Sequence, residues 1–167
     1  MEDYNLPDHW KDFVCTPENI LKVWNHFNEF PILFDDYDRG DLNQFTAMFF
    51  DPKAIIFATG DYGIARIANI LIGRDCNIHL TFWDRRFRGR DTECRKAIQW
   101  AFNELRLARM TVIVPETVRS TISFLQALGF RREGIIRNSW MYKGKLLNRH
   151  AFGMLRSEAL PQEVANG

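Results

Sequence analysis

The chain has 167 residues, enough for one domain whose core needs no disulfide or metal to hold it together. Apolar residues make up 46% and charged residues 26%, which excludes an intrinsically disordered chain. A net charge of +1 supplies no global field for a nucleic acid or an acidic membrane, so any electrostatic function has to be local.

Cys15, Cys76 and Cys94 are odd in number and widely spaced, without a metal-ligand pattern, as expected of reduced thiols in a cytoplasmic protein. Residues Met1 to Trp10 are polar and lack an apolar signal core, and no apolar run approaches a membrane span. The expectation is a domain over residues 1–160 and a frayed tail from Pro161 to Gly167, with neither a metal nor a nucleic-acid partner.

In chain order, Thr16-Pro17-Glu18 reads as a helix start, with Ile20, Leu21, Trp24 and Phe27 as its apolar stripe. A short second helix after Asp41 carries Leu42, Phe45 and Phe49 on one face and ends at Asp51-Pro52. Three strands follow, Ala54 to Thr59, Gly63 to Ile72 and Asn77 to Trp83, broken at Gly60-Asp61 and Gly73-Arg74-Asp75. The strongest helix runs from Thr92 to Leu107, with Cys94, Ala97, Ile98, Ala101, Phe102 and Leu105 at helical spacing, which makes Cys94 core rather than nucleophile. Next come a strand at Thr111 to Val114 and a helix with Ile122, Leu125 and Leu128 inward, stopped by Gly129. A hairpin of Phe130 to Tyr142 and Leu146 to Leu155 turns at Lys143-Gly144-Lys145. This order predicts a mixed, mostly antiparallel sheet with helices on both faces, an α/β class of the α+β kind.

The turn Asp84-Arg85-Arg86-Phe87-Arg88-Gly89-Arg90-Asp91-Thr92-Glu93 lies between a strand and that strongest helix. A helix start offers unpaired N–H groups and the positive end of the dipole, glycine permits close approach, and the arginines suit a pyrophosphate. Read alone, the same residues form a solvated network of arginines and acids.

The run Arg86-Phe87-Arg88-Gly89-Arg90-Asp91 resembles the Arg/Gln-x-x-Gly-x-Gly/Ala signature of the GNAT (GCN5-related N-acetyltransferase) superfamily. Thr92-Glu93, Ala101-Phe102 and Arg109 then fall where its Rim-type branch, which acetylates protein N-termini and related amines, places such residues. Leu128-Gly129-Phe130-Arg131-Arg132-Glu133-Gly134-Ile135-Ile136-Arg137 is similar to that branch's Leu-Gly-Phe-x-x-Glu-Gly-x-x-Arg, and Gly144 to Arg156 resembles its closing strands. The resemblance covers Asp84 to Glu158.

It implies an acetyl-CoA-dependent N-acetyltransferase acting on a primary amine, a protein N-terminus or a small molecule. Acetyl-CoA would lie with its pantetheine arm along the strand ending at Phe82-Trp83, splayed from Thr111 to Val114. Its pyrophosphate would sit on Arg86, Phe87, Arg88, Gly89, Arg90, Asp91 and Thr92.

The chain departs from the family pattern at three positions: Asp91 ends the signature, where a carboxylate would serve as an N-cap, Val118 stands for an asparagine, and Leu125 for a catalytic tyrosine. The Rim-type hydroxyl position holds Thr121, a weak acid, and His79 is the only titratable group on the presumed fourth strand before Asp84, where relatives keep a Glu base. These departures open a second reading, a GNAT-fold binding or structural protein without turnover, of the kind tailed phages carry and associate with the virion. Acceptor choice would rest on the first two helices and the hairpin, where Trp140 and Tyr142 wall a groove or simply pack. The acidic run Asp35, Asp36, Asp38 and Asp41 would attract a cationic amine or form a solvated loop.

Overall fold

The structure is a computed structural model and describes residues 6–7, 10–36, 41–84 and 89–160. Seven strands form one sheet: β1 (Lys11–Asp12), β2 (Ile55–Thr59), β3 (Gly63–Leu71), β4 (Asp75–Phe82), β5 (Arg109–Pro115), β6 (Arg131–Tyr142) and β7 (Lys145–Leu155). Their order is β1-β2-β3-β4-β5-β7-β6, antiparallel throughout except between β4 and β5. The helices are α1 (Pro17–Asn28), α2 (Leu42–Ala47), α3 (Arg90–Glu104), α4 (Arg119–Leu128) and α5 (Arg156–Ala159). The expected mixed sheet with helices on both faces is the observed one.

Strand alternation sorts the interior into two cores. On one face Phe57, Ala65, Ile67, Cys76, Ile78, Met110, Val112, Phe152 and Met154 meet Cys94, Ala97, Ile98, Ala101 and Phe102 of α3 and Leu125 and Leu128 of α4. On the other, Ile56 and Ile64 meet Ile20 and Val23 of α1 and Phe45 of α2. Leu21, expected in the stripe of α1, is instead 47% exposed, and Val23 takes its place. The helix is therefore rotated about its axis relative to the expected stripe.

Local chemistry explains the element ends. Thr16 caps α1 through its hydroxyl, which accepts from the Asn19 N–H at 3.2 Å, and Pro17 begins the helix. Asp41 caps α2 by accepting from Asn43 and Gln44 at 2.9 and 3.0 Å, and a 3-10 turn, Met48–Phe50, carries the chain to Asp51. Helix α3 starts at Arg90, two residues before the expected Thr92, and stops at Glu104 because Arg106 turns left-handed (φ 51°). Gly129 (φ 106°) ends α4 as expected.

Two elements carried no expectation: β1, too short to show a period, and α5, where Glu158 accepts from the Leu155 N–H at 2.9 Å. Trp10, within a segment read only as polar, is 4% exposed and donates its indole N–H to the Glu93 carbonyl at 3.3 Å.

Candidate functional site

The parallel pair β4 and β5 carries the one feature of the sheet that makes a cleft. Its ladder consists of a single register pair, Asn77 with Thr111, while β5 stays paired to β7 from Arg109 to Pro115. Beyond Asn77, the β4 edge from His79 to Phe82 therefore has no strand partner on the β5 side among the described residues, and the two strands part. An ionic clamp closes the other end of this V. Arg109 bonds Glu133 of β6 at 2.7 Å and approaches Asp75 of β4 at 3.5 Å, and the Thr111 hydroxyl donates to Asp75 at 3.2 Å. Gly153 of β7 lies beneath this clamp, where a Cβ would fall on the Glu133 carboxylate.

The start of α3 faces the open end. Arg86, Phe87 and Arg88 lie outside the described residues. Gly89 is the N-cap and makes no side-chain cap, and the first helical bond runs from the Glu93 N–H to the Gly89 carbonyl at 3.0 Å. The N–H groups of Arg90, Asp91 and Thr92 thus precede the helical ladder, on residues that are all exposed. Asp91, expected as the N-cap, is instead the second helical residue, its carboxylate 4.0 Å from Arg90. The N-cap Gly89 thus leaves these N–H groups without a side-chain cap of its own, while Asp91 and Glu93 still place two acids in the first turn. Arg90 lies over the Phe124 ring at 5.6 Å, which joins the start of α3 to the middle of α4. Thr121 sits one turn before Phe124 on the same face of α4 and is half-buried.

Of the aromatic pair at the end of β4, Phe82 packs toward the α3 core, 6.2 Å from the Trp10 ring. Trp83 turns to the α1 face, stacks on His26 at 4.5 Å and 3°, and donates to the Asp61 carbonyl at 2.6 Å. Their side chains serve the two cores.

His79 lies on the α1 face of β4, exposed, and among the described residues it makes no hydrogen bond or ion pair. Protein still surrounds it closely, and desolvation, with a smaller push from Arg66, lowers its pKa to about 4. It is therefore neutral at neutral pH, and a weaker base than an ordinary imidazole. Arg66 is its cross-strand partner on β3, bonded to Asp51 at 3.0 Å and to the Met48 carbonyl at 3.2 Å. Nothing in the sequence singled out Arg66; the signal was its even-numbered place in β3 opposite His79, visible only once the β3–β4 register is known.

A cavity of about 500 Å³ opens between Ile32, Tyr142 and the α4 start from Thr117 to Ser120. The acidic run has another task. Asp35 accepts from the Met141 N–H at 2.6 Å, Asp36 accepts from Lys143 and Gly144 at 2.9 and 2.7 Å, and Asp41 caps α2. Asp38 lies outside the described residues, and the other three hold backbone rather than forming a solvated loop. Trp140 stacks under Arg149 at 5.6 Å, whereas Tyr142 lines the cavity. Cys76 and Cys94 are buried, with pKa values pushed up to about 12 chiefly by desolvation, and this inertness suits the core role expected of Cys94. Among the described residues no group of His, Cys, Asp or Glu could hold a metal ion, and no helix is long and apolar enough to cross a membrane.

Comparison with solved structures decides the architecture. A chimera of the Vibrio cholerae spermidine N-acetyltransferase SpeG superposes with TM-score 0.77 at 13% identity, over 92% of this chain and 98% of that one. The protein has the GNAT fold. The Vibrio cholerae enzyme in complex with CoA and spermine gives TM-score 0.72 at 14% identity, covering 90% of this chain and 96% of that one. A probable acetyltransferase gives 0.68 at 18%, covering 91% and 96%. No family model and no curated protein sequence matches the chain. The parted strands β4 and β5 are the position where the resemblance would put the pantetheine arm.

Proposed function

We propose that the protein transfers an acetyl group from acetyl-CoA to a primary amine. The observation that carries this reading is the junction of three features: a parallel pair that parts after Asn77 and Thr111, an uncapped α3 start opposite the opening, and an unpartnered neutral His79 on the far face. The cofactor supplies the thioester and its acetyl group. The β4 edge from His79 to Phe82 would hold the pantetheine arm by backbone bonds, and the N–H groups of Arg90 to Thr92 would hold the pyrophosphate, with Arg86, Phe87, Arg88 and Gly89 completing the turn.

On the α1 face His79 would take the proton of the attacking amine, and Thr121, on the α4 face toward the α3 start, would protonate the departing sulfur. Placement of the reactants carries much of the rate in this arrangement. The cavity beside Tyr142 would receive the acceptor, and its one charged lining residue among those described, Arg119, favours a single amine, as on a protein N-terminus or small molecule, over a polycation. The acetyl-transfer reading also suits the acetyltransferase activities named for the fold neighbours, and the Rim-type N-terminal branch remains part of this proposal.

Acetyl transfer to a panel containing a peptide with a free α-amine, a monoamine and spermine tests it. The expected result is turnover of the first two ahead of spermine. Binding of acetyl-CoA without turnover of any amine would contradict the enzyme reading.

A further inference from the structure

We propose that Arg119 sets the acceptor class by selecting an amine that also carries a carboxylate, as an amino acid or a short peptide with both ends free does. The inference rests on the reading of the protein as an acetyltransferase with the cavity beside Tyr142 as the acceptor's place. That cavity, about 500 Å³, has walls from three parts of the chain: Ile32 in the turn after α1, Thr117 to Ser120 where β5 leads into α4, and Tyr142 at the end of β6. A strap holds these walls together. The Asp35 and Asp36 carboxylates accept from the Met141, Lys143 and Gly144 N–H groups, and the Asp36 N–H donates to the Met141 carbonyl at 2.8 Å, which ties the segment after Ile32 to the end of the hairpin.

The place of the cavity suits an acceptor. Strand β5 leaves β4 after the Asn77–Thr111 pair and runs to Pro115, so Thr117 to Ser120 stand at the open, C-terminal end of the V. Residues two apart on a helix face away from each other, so Thr121 points across α4 from Arg119. The acceptor and the departing sulfur then approach the helix start from opposite sides.

Charge decides the class. Among the described residues no acid lines the cavity, and Arg119, exposed, is its one charge and makes no hydrogen bond or ion pair. Acids next to the walls are engaged. Asp35 and Asp36 hold the hairpin, and Glu116, just before the lining, accepts from the backbone and side-chain N–H groups of Asn148 at 3.0 and 3.1 Å. A guanidinium left without a partner pairs with a carboxylate through two parallel N–H donors, and the Thr117, Ser120 and Tyr142 hydroxyls supply further donors. One cation balances the single charge of a carboxylate but not that of a phosphate, and it repels a polycation. Ile32 and Val118 offer apolar contact for a small side chain.

Initial rates with alanylalanine and with its C-terminal amide test the proposal, because the two share an α-amine and differ in the carboxylate. The wild type should use the acid about tenfold better in kcat/KM, with the difference in KM, and should use spermine least. Arg119→Gln should remove the difference between acid and amide, Arg119→Lys should keep part of it, and Arg119→Glu should reverse it. N-acetyl-alanylalanine, which has no amine left to react, gives a readout that needs no turnover. Calorimetry should show saturable binding to the wild type that weakens about tenfold in Arg119→Gln.

Equal use of acid and amide by the wild type, or an acid preference that persists in Arg119→Gln, would overturn the role of Arg119. Absence of turnover with every amine, beside Arg119-dependent binding of N-acetyl-alanylalanine, would overturn the acetyl-transfer reading and leave the carboxylate site standing.

Discussion

The two faces of the sheet are built for different work. Under α3 and α4, residues such as Phe57, Phe102, Phe152, Ile67 and Met110 are fully buried and apolar, and the interior there follows from shape and volume. Under α1 and α2 the buried set is smaller and rich in aromatic contacts, with Phe34, Phe45, Trp24 and Phe27 ring to ring. Polar devices cluster on this second face: the Arg66–Asp51 pair, the Asp36 hold on the hairpin and the unpartnered His79. One face is apolar and closely packed, and the other mixes aromatic packing with polar bonds.

Unfolding measurements sharpen this contrast. Phe102→Ala, at 0% exposure, should cost about 3–5 kcal/mol, whereas Leu21→Ala on the exposed side of α1 should stay within about 0.5 kcal/mol. Equal losses in urea denaturation would break the comparison. Asp36→Ala should cost about 1–2 kcal/mol by leaving the Lys143 and Gly144 N–H groups without their carboxylate, at a turn where both residues are left-handed (φ 51° and 70°). Gly153→Ala should cost only about 0–1 kcal/mol, because the new methyl meets the flexible end of Glu133 and the half-exposed pair it displaces from Arg109 is worth little.

The smallest effect is on pH dependence. His79 titrates near 4 when folded and near the ordinary 6.5 when unfolded, so the unfolded chain binds the extra proton between those values. Its contribution is present above about pH 6.5 and declines as the pH falls toward about 4. A His79→Gln variant should show a flatter stability curve across that window; an unchanged slope would mean that the imidazole is not desolvated.

What the sequence disclosed follows the same division. Helix α3 was legible because its face repeats at helical spacing without interruption, and Gly129 and Asp41 because a left-handed stop and a side-chain cap are local chemistry. The stripe of α1 misled, since Leu21 and Val23 are both apolar and only the tertiary contact chooses between them. Asp35 and Asp36 bond residues more than a hundred positions away, which no local pattern shows. The arginine turn was a candidate by its place before α3, though Arg86, Phe87 and Arg88 lie outside the described residues, whereas the Arg66–His79 pairing depends on strand register. Asp91 was misread as a cap because carboxylates favour that position, while the N-cap is Gly89, two residues earlier, and the helix begins at Arg90.

The central claim is that acetyl-CoA binds where β4 and β5 part, with its pyrophosphate on the start of α3. Calorimetry with acetyl-CoA on the wild type and on Gly89→Glu and Asp91→Gly tests it most directly. The account predicts saturable binding by the wild type, loss of binding when a carboxylate is placed at Gly89, and equal or tighter binding once the Asp91 charge is removed. Silence of the wild type and of Asp91→Gly even near millimolar acetyl-CoA would contradict it, as would unchanged binding by Gly89→Glu.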